Sequence, residues 1–204
     1  MMDLAGDYKG KSFLDLCCGD GAAIREAVTV RGAIDSMMVD QERDMLADDL
    51  FPERPDMTFM DFSIEDFLYL SDGSEVYHDI LKELTFDIIF CRQGINYWYE
   101  PRYMPKVADM MDDGGVFIFN TFNTKPSVMP TVKEYKIEGR NFAEISYLVA
   151  DCLVHHVQVS EGYPPHLTQF KYFSERDFKD GLNPYFDVEL RRRNNTDVYI
   201  CRKK

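Results

Sequence analysis

Residues 13 to 21, Phe13-Leu14-Asp15-Leu16-Cys17-Cys18-Gly19-Asp20-Gly21, contain the pattern that decides the fold. An apolar run with an internal carboxylate passes into a tight turn with two glycines, and residues 22–28 have helical character. Glycine reaches positive φ at low cost and lets a ligand lie against bare backbone. Asp20 can cap the helix that follows. The stretch therefore predicts a strand, a ligand-binding turn and a helix.

This stretch resembles the first strand and turn of the class I S-adenosylmethionine (SAM)-dependent methyltransferases, which typically reads Leu-Asp-Leu-Gly-Cys-Gly-x-Gly. Cys17 stands where that family usually has its first glycine, beside the place of the methionine part of the cofactor. The resemblance implies an α/β fold with a doubly wound, mostly parallel seven-stranded sheet and a C-terminal antiparallel hairpin. It also implies SAM as the cofactor and S-adenosylhomocysteine as the product.

A glycine-rich turn after a strand is also typical of nicotinamide or flavin dinucleotide sites. Counting Gly-x-Gly-x-x-Gly from Gly19 places Ile24 where the third glycine should be. Asp20 would bring a negative charge to the pyrophosphate, which normally meets an unopposed helix N-terminus. Asp15 has no evident role for a dinucleotide, whereas a cationic amino acid moiety favours a carboxylate. These details favour SAM over a dinucleotide; an ordinary strand and turn of a doubly wound protein is the remaining alternative.

The composition indicates one soluble, cytoplasmic domain over residues 1–204. The 204 residues suit a single core, and 45% hydrophobic with 29% charged residues is ordinary for a globular protein. The formal net charge of -13 opposes binding to nucleic acid and to anionic membranes. No apolar run approaches the roughly 18 residues of a membrane span. The five cysteines show no metal-ligand spacing, so we expect reduced thiols and no metal.

Acids at successive strand ends predict the rest of the cofactor site. Asp40 ends a second strand (residues 33–39) about 20 residues beyond the glycine turn, the spacing at which an acid reaches a ribose. Capping of the helix that follows at residues 41–47 is the alternative role for Asp40. Asp61 and Phe62 follow a third strand, where the resemblance implies an acid and an apolar residue that bind adenine, with Asp66 as a competing acid. The resemblance thus implies cofactor contacts from Asp15, Cys17, Gly19, Gly21, Asp40, Gln41, Asp61, Phe62, Cys91 and Arg92.

Further elements follow from periodicity and capping signals. Helical spacing of apolar residues predicts a helix at residues 74–84, with His78 on its surface, and a continuous apolar run predicts a buried strand at 86–91. Pro101 suits the first turn of a helix to Met111, and a fifth strand follows at 116–120. Ser174 to Asp177 resembles a capping box for a helix to about Gly181. Residues 186–190 and 197–201 then predict the C-terminal hairpin.

Residues 121–173 are the least similar to the family. Alternating β-branched and aromatic runs at 132–137, 142–149, 153–159 and 168–173, separated by turn residues, predict a small antiparallel insertion after strand 5. The family usually carries helices before its first strand to cover the cofactor, and residues 1–12 are short and polar. We therefore expect the insertion to be the lid and the acceptor pocket.

Methyl transfer from a sulfonium depends mainly on alignment and exclusion of water, so the sequence need not contain a catalytic motif. Histidine is the best base near neutral pH, and His155, His156 and His166 all lie in the insertion. Each could equally be a strand or turn histidine without catalytic duty. The predicted acceptor-binding residues are Asn96, Tyr97, Trp98 and Asn120, with core packing as the alternative for the aromatic pair.

Two functions are compatible with these patterns. The first is a methyltransferase that acts on oxygen or nitrogen of a small-molecule substrate. The second is a SAM-binding regulatory or partner subunit without activity, which the cysteine at position 17 and the missing N-terminal cover motivate. The assembly state is left open, with a homodimer as one option.

Overall fold

The computed structural model describes residues 1–42, 57–69, 84–137 and 139–204. Its strands are β1 (Ser12–Leu16), β2 (Ile34–Asp40), β3 (Met57–Asp61), β4 (Phe86–Cys91), β5 (Met111–Phe122), β6 (Thr131–Ile137), β7 (Arg140–Ala150), β8 (Leu153–Ser160), β9 (His166–Lys171), β10 (Phe186–Arg192) and β11 (Thr196–Lys203). Its helices are α1 (Ala22–Thr29), α2 (Ile64–Tyr69), α3 (Ile95–Trp98), α4 (Met104–Asp109) and α5 (Glu175–Leu182). Single 3-10 turns occur at Met2–Leu4 and Pro101–Tyr103.

Seven strands form the main sheet in the order β10-β11-β5-β4-β1-β2-β3. Strands β1 to β5 are mutually parallel, whereas β11 runs antiparallel to both β5 and β10. The strand order reverses between β1 and β4. In open α/β sheets, ligands bind outside the carboxyl ends of the strands at such a reversal. The mixed α/β fold with a mostly parallel sheet is therefore confirmed, and its topology points to the turn after β1.

Apolar side chains cover both faces of this sheet. Along β1, Phe13 joins one core cluster, while Leu14 and Leu16 join the other. Helix α1 packs on the Phe13 face, because its buried residues Ala23, Ile24, Ala27 and Val28 recur at helical spacing. Helices α2 to α5 contribute buried residues to the opposite face. The main sheet is therefore packed on both faces, as a buried parallel sheet requires.

Two element boundaries can be compared with the sequence predictions: the start of α5 and the junction between α4 and β5. Ser174 and Asp177 form a capping box at the start of α5, as the sequence predicts. The predicted helix from Pro101 to Met111 is wrong in its last turn: α4 ends at Asp109, and Met111 already pairs with Phe86 in the sheet. The backbone N–H of Phe86 also donates to Met110 O at 2.9 Å, so sheet pairing begins before the predicted fifth strand.

Strands β6 to β9 form a separate four-stranded antiparallel sheet in sequence order. This is the antiparallel insertion that the sequence predicts, with strand boundaries within a few residues. Its last strand, β9, contacts α3: the Phe170 ring lies edge-on to Tyr97 at 6.1 Å and stacks on Phe122 at 5.1 Å. The insertion is thus attached to the carboxyl edge of the main sheet through β9.

Two predicted helices fall at least partly outside the described residues. The helix at 74–84, including His78, lies outside them except for its last residue, and only Gln41 and Glu42 of the helix at 41–47 are described. In the part of the chain that the structure describes, no helix has both the length and the apolar character needed to cross a membrane.

Candidate functional site

A cavity of about 670 Å³ opens at the carboxyl edge of β1, β2 and β4, where the strand order reverses. The turn after β1 and the segment after β4 border it from the sheet, and β9 borders it from the insertion. Its lining residues are Cys17, Gly19, Asp40, Gln41, Glu42, Ser63, Ile64, Glu65, Arg92, Gln93, Gly94, Tyr97, Trp98, His166, Leu167, Thr168 and Gln169.

The turn after β1 presents bare backbone to this cavity. Gly19 and Gly21 have φ of 54° and 72°, and a Cβ added at Gly19 would meet no atom within 4 Å. Asp20 Oδ1 accepts from the Ala22 backbone N–H at 3.1 Å, beside the start of α1. The turn therefore has the left-handed conformations that its glycines predict and leaves space for a ligand.

Asp40 connects this turn to the end of β2. Its Oδ2 accepts from the Gly19 backbone N–H at 2.9 Å, and its Oδ1 accepts from the Glu42 N–H at 3.1 Å. A carboxylate has about four acceptor positions, so each oxygen can still accept a hydrogen bond from a ligand hydroxyl. The side chain borders the cavity, which makes Asp40 suited both to fix the turn and to bind a ribose.

Asp15 lies beneath the turn and is 1% exposed, so it does not line the cavity. Its Oδ2 is buried without a hydrogen-bond partner among the described residues. Burial raises the pKa of this carboxyl to about 8; Arg92 opposes that rise, whereas the charges of Asp40 and Asp20 add to it. A cation bound close to the turn would favour the ionised carboxylate.

Cys17 occupies the glycine position of the turn with φ of 59°. Its side chain lies against Gly94: a Cβ added there would be 2.4 Å from Cys17 Cβ and 2.7 Å from Cys17 Sγ. Contact with the Cys91 thiol, followed by burial, raises the pKa of the Cys17 thiol. The fold thus accommodates the cysteine in the turn by having no side chain at position 94.

Arg92, Tyr97 and Trp98 bring charge and aromatic surface to the cavity. Arg92 Nη2 lies 3.8 Å from Asp20 Oδ1, above the turn. Tyr97 is 49% exposed, and burial raises the pKa of its hydroxyl, an effect that the neighbouring Thr168 side chain opposes. Trp98 is 3% exposed, and its Nε1 has no hydrogen-bond partner in the described part of the chain. These residues can contact a flat acceptor.

Asn96 and Asn120 are buried and do not border the cavity. Asn96 Nδ2 donates to Lys171 O at 2.8 Å, and its Oδ1 accepts from Thr121 Oγ1 at 2.9 Å. Asn120 Oδ1 accepts from the Gln93 N–H at 2.9 Å. Both asparagines therefore position elements around the cavity instead of facing an acceptor.

The three predicted base candidates lie in different places. His166 borders the cavity at the start of β9. His155 contacts Tyr147 and Gln169, with its Nε2 2.7 Å from Gln169 Nε2, and His156 Nδ1 lies 2.8 Å from Ser146 Oγ. The structure does not bring His155 and His156 to the cavity lining, so His166 is the histidine that its geometry favours.

The remaining predicted cofactor residues divide in the same way. Gln41 borders the cavity, whereas Gly21 and Cys91 are buried and are not part of its lining. Asp61 is exposed and Phe62 is half-buried, and neither is part of the lining. The competing acid, Asp66, accepts from Ser63 Oγ at 2.8 Å at the start of α2.

Sequence reasoning missed several residues that border the cavity. Gln93 and Gly94 follow β4, Ser63 to Glu65 begin α2, and Thr168 and Gln169 lie on β9. No local signal identified them, because the predicted strand began at residue 168 and so did not include His166. They come together through tertiary packing.

No protein-family model matches the sequence, and comparison with curated proteins finds no match either. The structure, in contrast, matches solved ones. An S-adenosylmethionine-dependent methyltransferase from Mesorhizobium loti is similar over 99% of this chain and 95% of its own, with a TM-score of 0.66 and 16% identity. This chain has the fold of the SAM-dependent methyltransferases.

Two further solved structures share the methyltransferase fold. One is the Burkholderia thailandensis 1,6-didemethyltoxoflavin-N1-methyltransferase with bound 1,6-didemethyltoxoflavin and S-adenosylhomocysteine; it covers 96% of this chain and 72% of its own, with a TM-score of 0.51 and 12% identity. The other is the glycopeptide N-methyltransferase MtfA, with 94% and 83% coverage, a TM-score of 0.54 and 13% identity. The fold resemblance that residues 13 to 21 carry is therefore confirmed.

Proposed function

We propose that the protein is a SAM-dependent methyltransferase that acts on a small-molecule acceptor. The observation that carries the proposal is the Gly19–Asp40 contact, because it joins a bare-backbone turn and a strand-end acid at one edge of a cavity. The methyltransferase fold supports the same assignment. SAM would supply a methyl group that is already activated on a sulfonium.

The residues present fit such a cofactor. The Oδ2 of Asp15, which has no hydrogen-bond partner among the described residues, would accept from an ammonium group beneath the turn and ionise in its presence, and the Arg92 guanidinium would face the carboxylate of the same amino acid moiety. Asp40 offers its remaining lone pairs to ribose hydroxyls, and the apolar Ile64 borders the same cavity. Of the earlier adenine candidates, Asp61 and Phe62 lie outside the lining, and the segment at 63–65 is better placed.

The protein's chemical contribution is alignment and exclusion of water. Tyr97 and Trp98 would hold a flat acceptor between α3 and β9, and β9 would limit access of water from above. His166 would accept the proton that an oxygen or nitrogen acceptor loses. Its position at the rim of the cavity supports this role, since the other two insertion histidines are engaged elsewhere.

Ligand-induced stabilisation tests the cofactor assignment. SAM and S-adenosylhomocysteine should raise the melting temperature and NAD and NADP should not, because a ligand at about 100 times its dissociation constant adds roughly 2.7 kcal/mol to stability. Asp40→Ala should weaken SAM binding by roughly 1 to 3 kcal/mol. Asp187→Ala, on the exposed face of β10, is the matched control. A shift with NAD alone would end the methyltransferase proposal.

A second candidate function is a SAM-binding subunit without transferase activity. The observation that favours it is the cysteine at a left-handed position of the cofactor turn, where the family has glycine. Release of S-adenosylhomocysteine in the presence of any tested acceptor distinguishes the enzyme from this alternative. In the enzyme, His166→Asn should reduce turnover by roughly a hundredfold and leave SAM affinity within about threefold.

A further inference from the structure

Cys17 and Cys91 place two thiols side by side under the turn. They belong to adjacent parallel strands, since Asp15 pairs with Phe90 in the β1–β4 ladder and each cysteine follows closely. A Cβ added at Gly94 would lie 2.7 Å from Cys17 Sγ and 3.1 Å from Cys91 Sγ. Because both sulfurs lie this close to the same point, they are within about 6 Å of each other.

The other three cysteines do not compete for this pairing. Cys18 adjoins Cys17 in sequence but packs in the core cluster on the opposite face of the sheet. Cys201 is buried on β11, which β5 separates from β4, and Cys152 lies in the insertion. All five thiols are free in this structure.

We infer that Cys17 and Cys91 are an oxidative modification site whose disulfide closes the cofactor side of the cavity. Oxidation breaks two S–H bonds and forms one S–S bond, and a two-electron oxidant such as a neutral diazene takes up both hydrogens and becomes a hydrazine. The bond would draw Cys17 toward β4. Because Cys17 borders the cavity two residues before Gly19, the Gly19–Asp40 contact would be displaced.

The exposure of the two thiols sets the expected rate of disulfide formation. Cys17 is half-buried at the cavity wall and Cys91 is fully buried, so oxidant must enter through the cavity. The thiolate is the attacking species in disulfide formation, and the raised pKa of Cys17 makes it scarce at neutral pH. Oxidation should therefore be slow at pH 7 and faster at pH 9, and a ligand in the cavity should retard it.

The test uses the reduced 204-residue chain, treated with diamide, a diazene, and then alkylated in denaturant, where the buried thiols are accessible, for peptide mass mapping. We expect a Cys17–Cys91 linked peptide and alkylation of the other three of the five cysteines. Cys91→Ser should give no linkage, and Cys152→Ser should behave like the wild type. A different pairing, or five alkylated thiols after prolonged treatment at pH 9, would overturn the inference.

Two readouts test closure of the cavity. The first readout is SAM affinity by calorimetry, and only for this readout does the inference rest on the proposed function. The affinity should fall at least about tenfold on oxidation and recover with dithiothreitol. The second readout is the quenching of Trp98 fluorescence by acrylamide. Trp98 is the one tryptophan of the chain and borders the cavity, so closure should change how easily acrylamide reaches it. If the reduced protein does not bind SAM, the proposed function fails, while mass mapping and Trp98 quenching by acrylamide still decide this inference. Linkage without a change in acrylamide quenching would refute closure.

Discussion

Cys17 and Gly94 are coupled through direct steric contact. A non-glycine residue at positive φ is strained, and here its side chain fits only because position 94 has no Cβ. Gly94 itself has φ of -102°, which any residue adopts, so steric exclusion alone requires glycine there. A single-residue departure from the family pattern thus explains a glycine that is distant in sequence.

Gly94→Ala should therefore destabilise the protein by roughly 1 to 3 kcal/mol, the usual cost of overpacking a core. Combining it with Cys17→Gly should restore most of the loss, because the two clashing atoms are then absent. Urea denaturation of the two single variants and the double variant measures the coupling. Strictly additive effects would show that the contact does not determine the glycine.

Because of Asp15, we predict that the free energy of unfolding depends on pH in the absence of ligand. Its pKa of about 8 in the folded state is above the ordinary 3.8, so between these values the folded protein keeps a proton that the unfolded chain has lost. The stability that this raised pKa contributes is fully present below pH 3.8 and is lost as the pH rises toward 8. Asp15→Asn cannot ionise and removes this dependence.

The unfolding free energy of Asp15→Asn relative to the wild type should thus increase by roughly 1 to 3 kcal/mol between pH 5 and pH 8. Denaturation curves at both pH values measure it, and Asp187→Asn serves as an exposed control that should show no comparable change. An equal difference at the two pH values would mean that Asp15 titrates normally.

At the scale of elements, Asn96 attaches the insertion to the main sheet. Its side chain lies in α3 and bonds both the end of β9, at Lys171, and the end of β5, at Thr121. Around it, the Phe170 ring contacts Tyr97 and Phe122. One buried amide and a small aromatic group therefore hold β9 over the cavity.

Asn96→Ala should cost roughly 1 to 3 kcal/mol, because the Lys171 carbonyl and the Thr121 hydroxyl lose their buried partner. Hydrogen exchange should increase mainly in β9, and turnover should fall more than SAM affinity. Asn141→Ala, which removes an exposed hydrogen bond to Glu161 in the same insertion, should change stability by less than about 0.5 kcal/mol. Uniform exchange across both sheets in Asn96→Ala would argue against a local attachment.

For the whole molecule, the formal net charge of -13 is the dominant long-range term. Mutual repulsion of surface acids opposes compactness, and salt screens it over a Debye length of about 8 Å at physiological ionic strength. Raising NaCl from a few millimolar to about 0.15 M should increase the melting temperature by roughly 2 to 4 °C, the shift that about 1 kcal/mol produces at this size. The increment should shrink at a pH that brings the net charge near zero, and calorimetry in NaCl at both pH values checks it.

Local patterns in the sequence were sufficient for the α/β class, the order of most elements and some of the residues that border the cavity. The strand and glycine turn at residues 13 to 21, the acid at Asp40 and the capping box at Ser174 depend on neighbours in sequence, which periodicity and φ preference describe. Cys17, Gly19, Asp40 and Arg92 accordingly border the cavity at the turn after β1, with Asp15 buried beneath it.

Tertiary structure alone decided which residues share the cavity. The sequence could not show that Gly94 faces Cys17, that Asn96 holds β9, or that His166 and not His155 or His156 reaches the cavity. These relations join residues of different strands and sheets, whose approach depends on packing between layers and not on local pattern. The same reason explains why Asp61 and Phe62 fall outside the lining: strand-end position was predictable, but side-chain direction relative to the cavity was not.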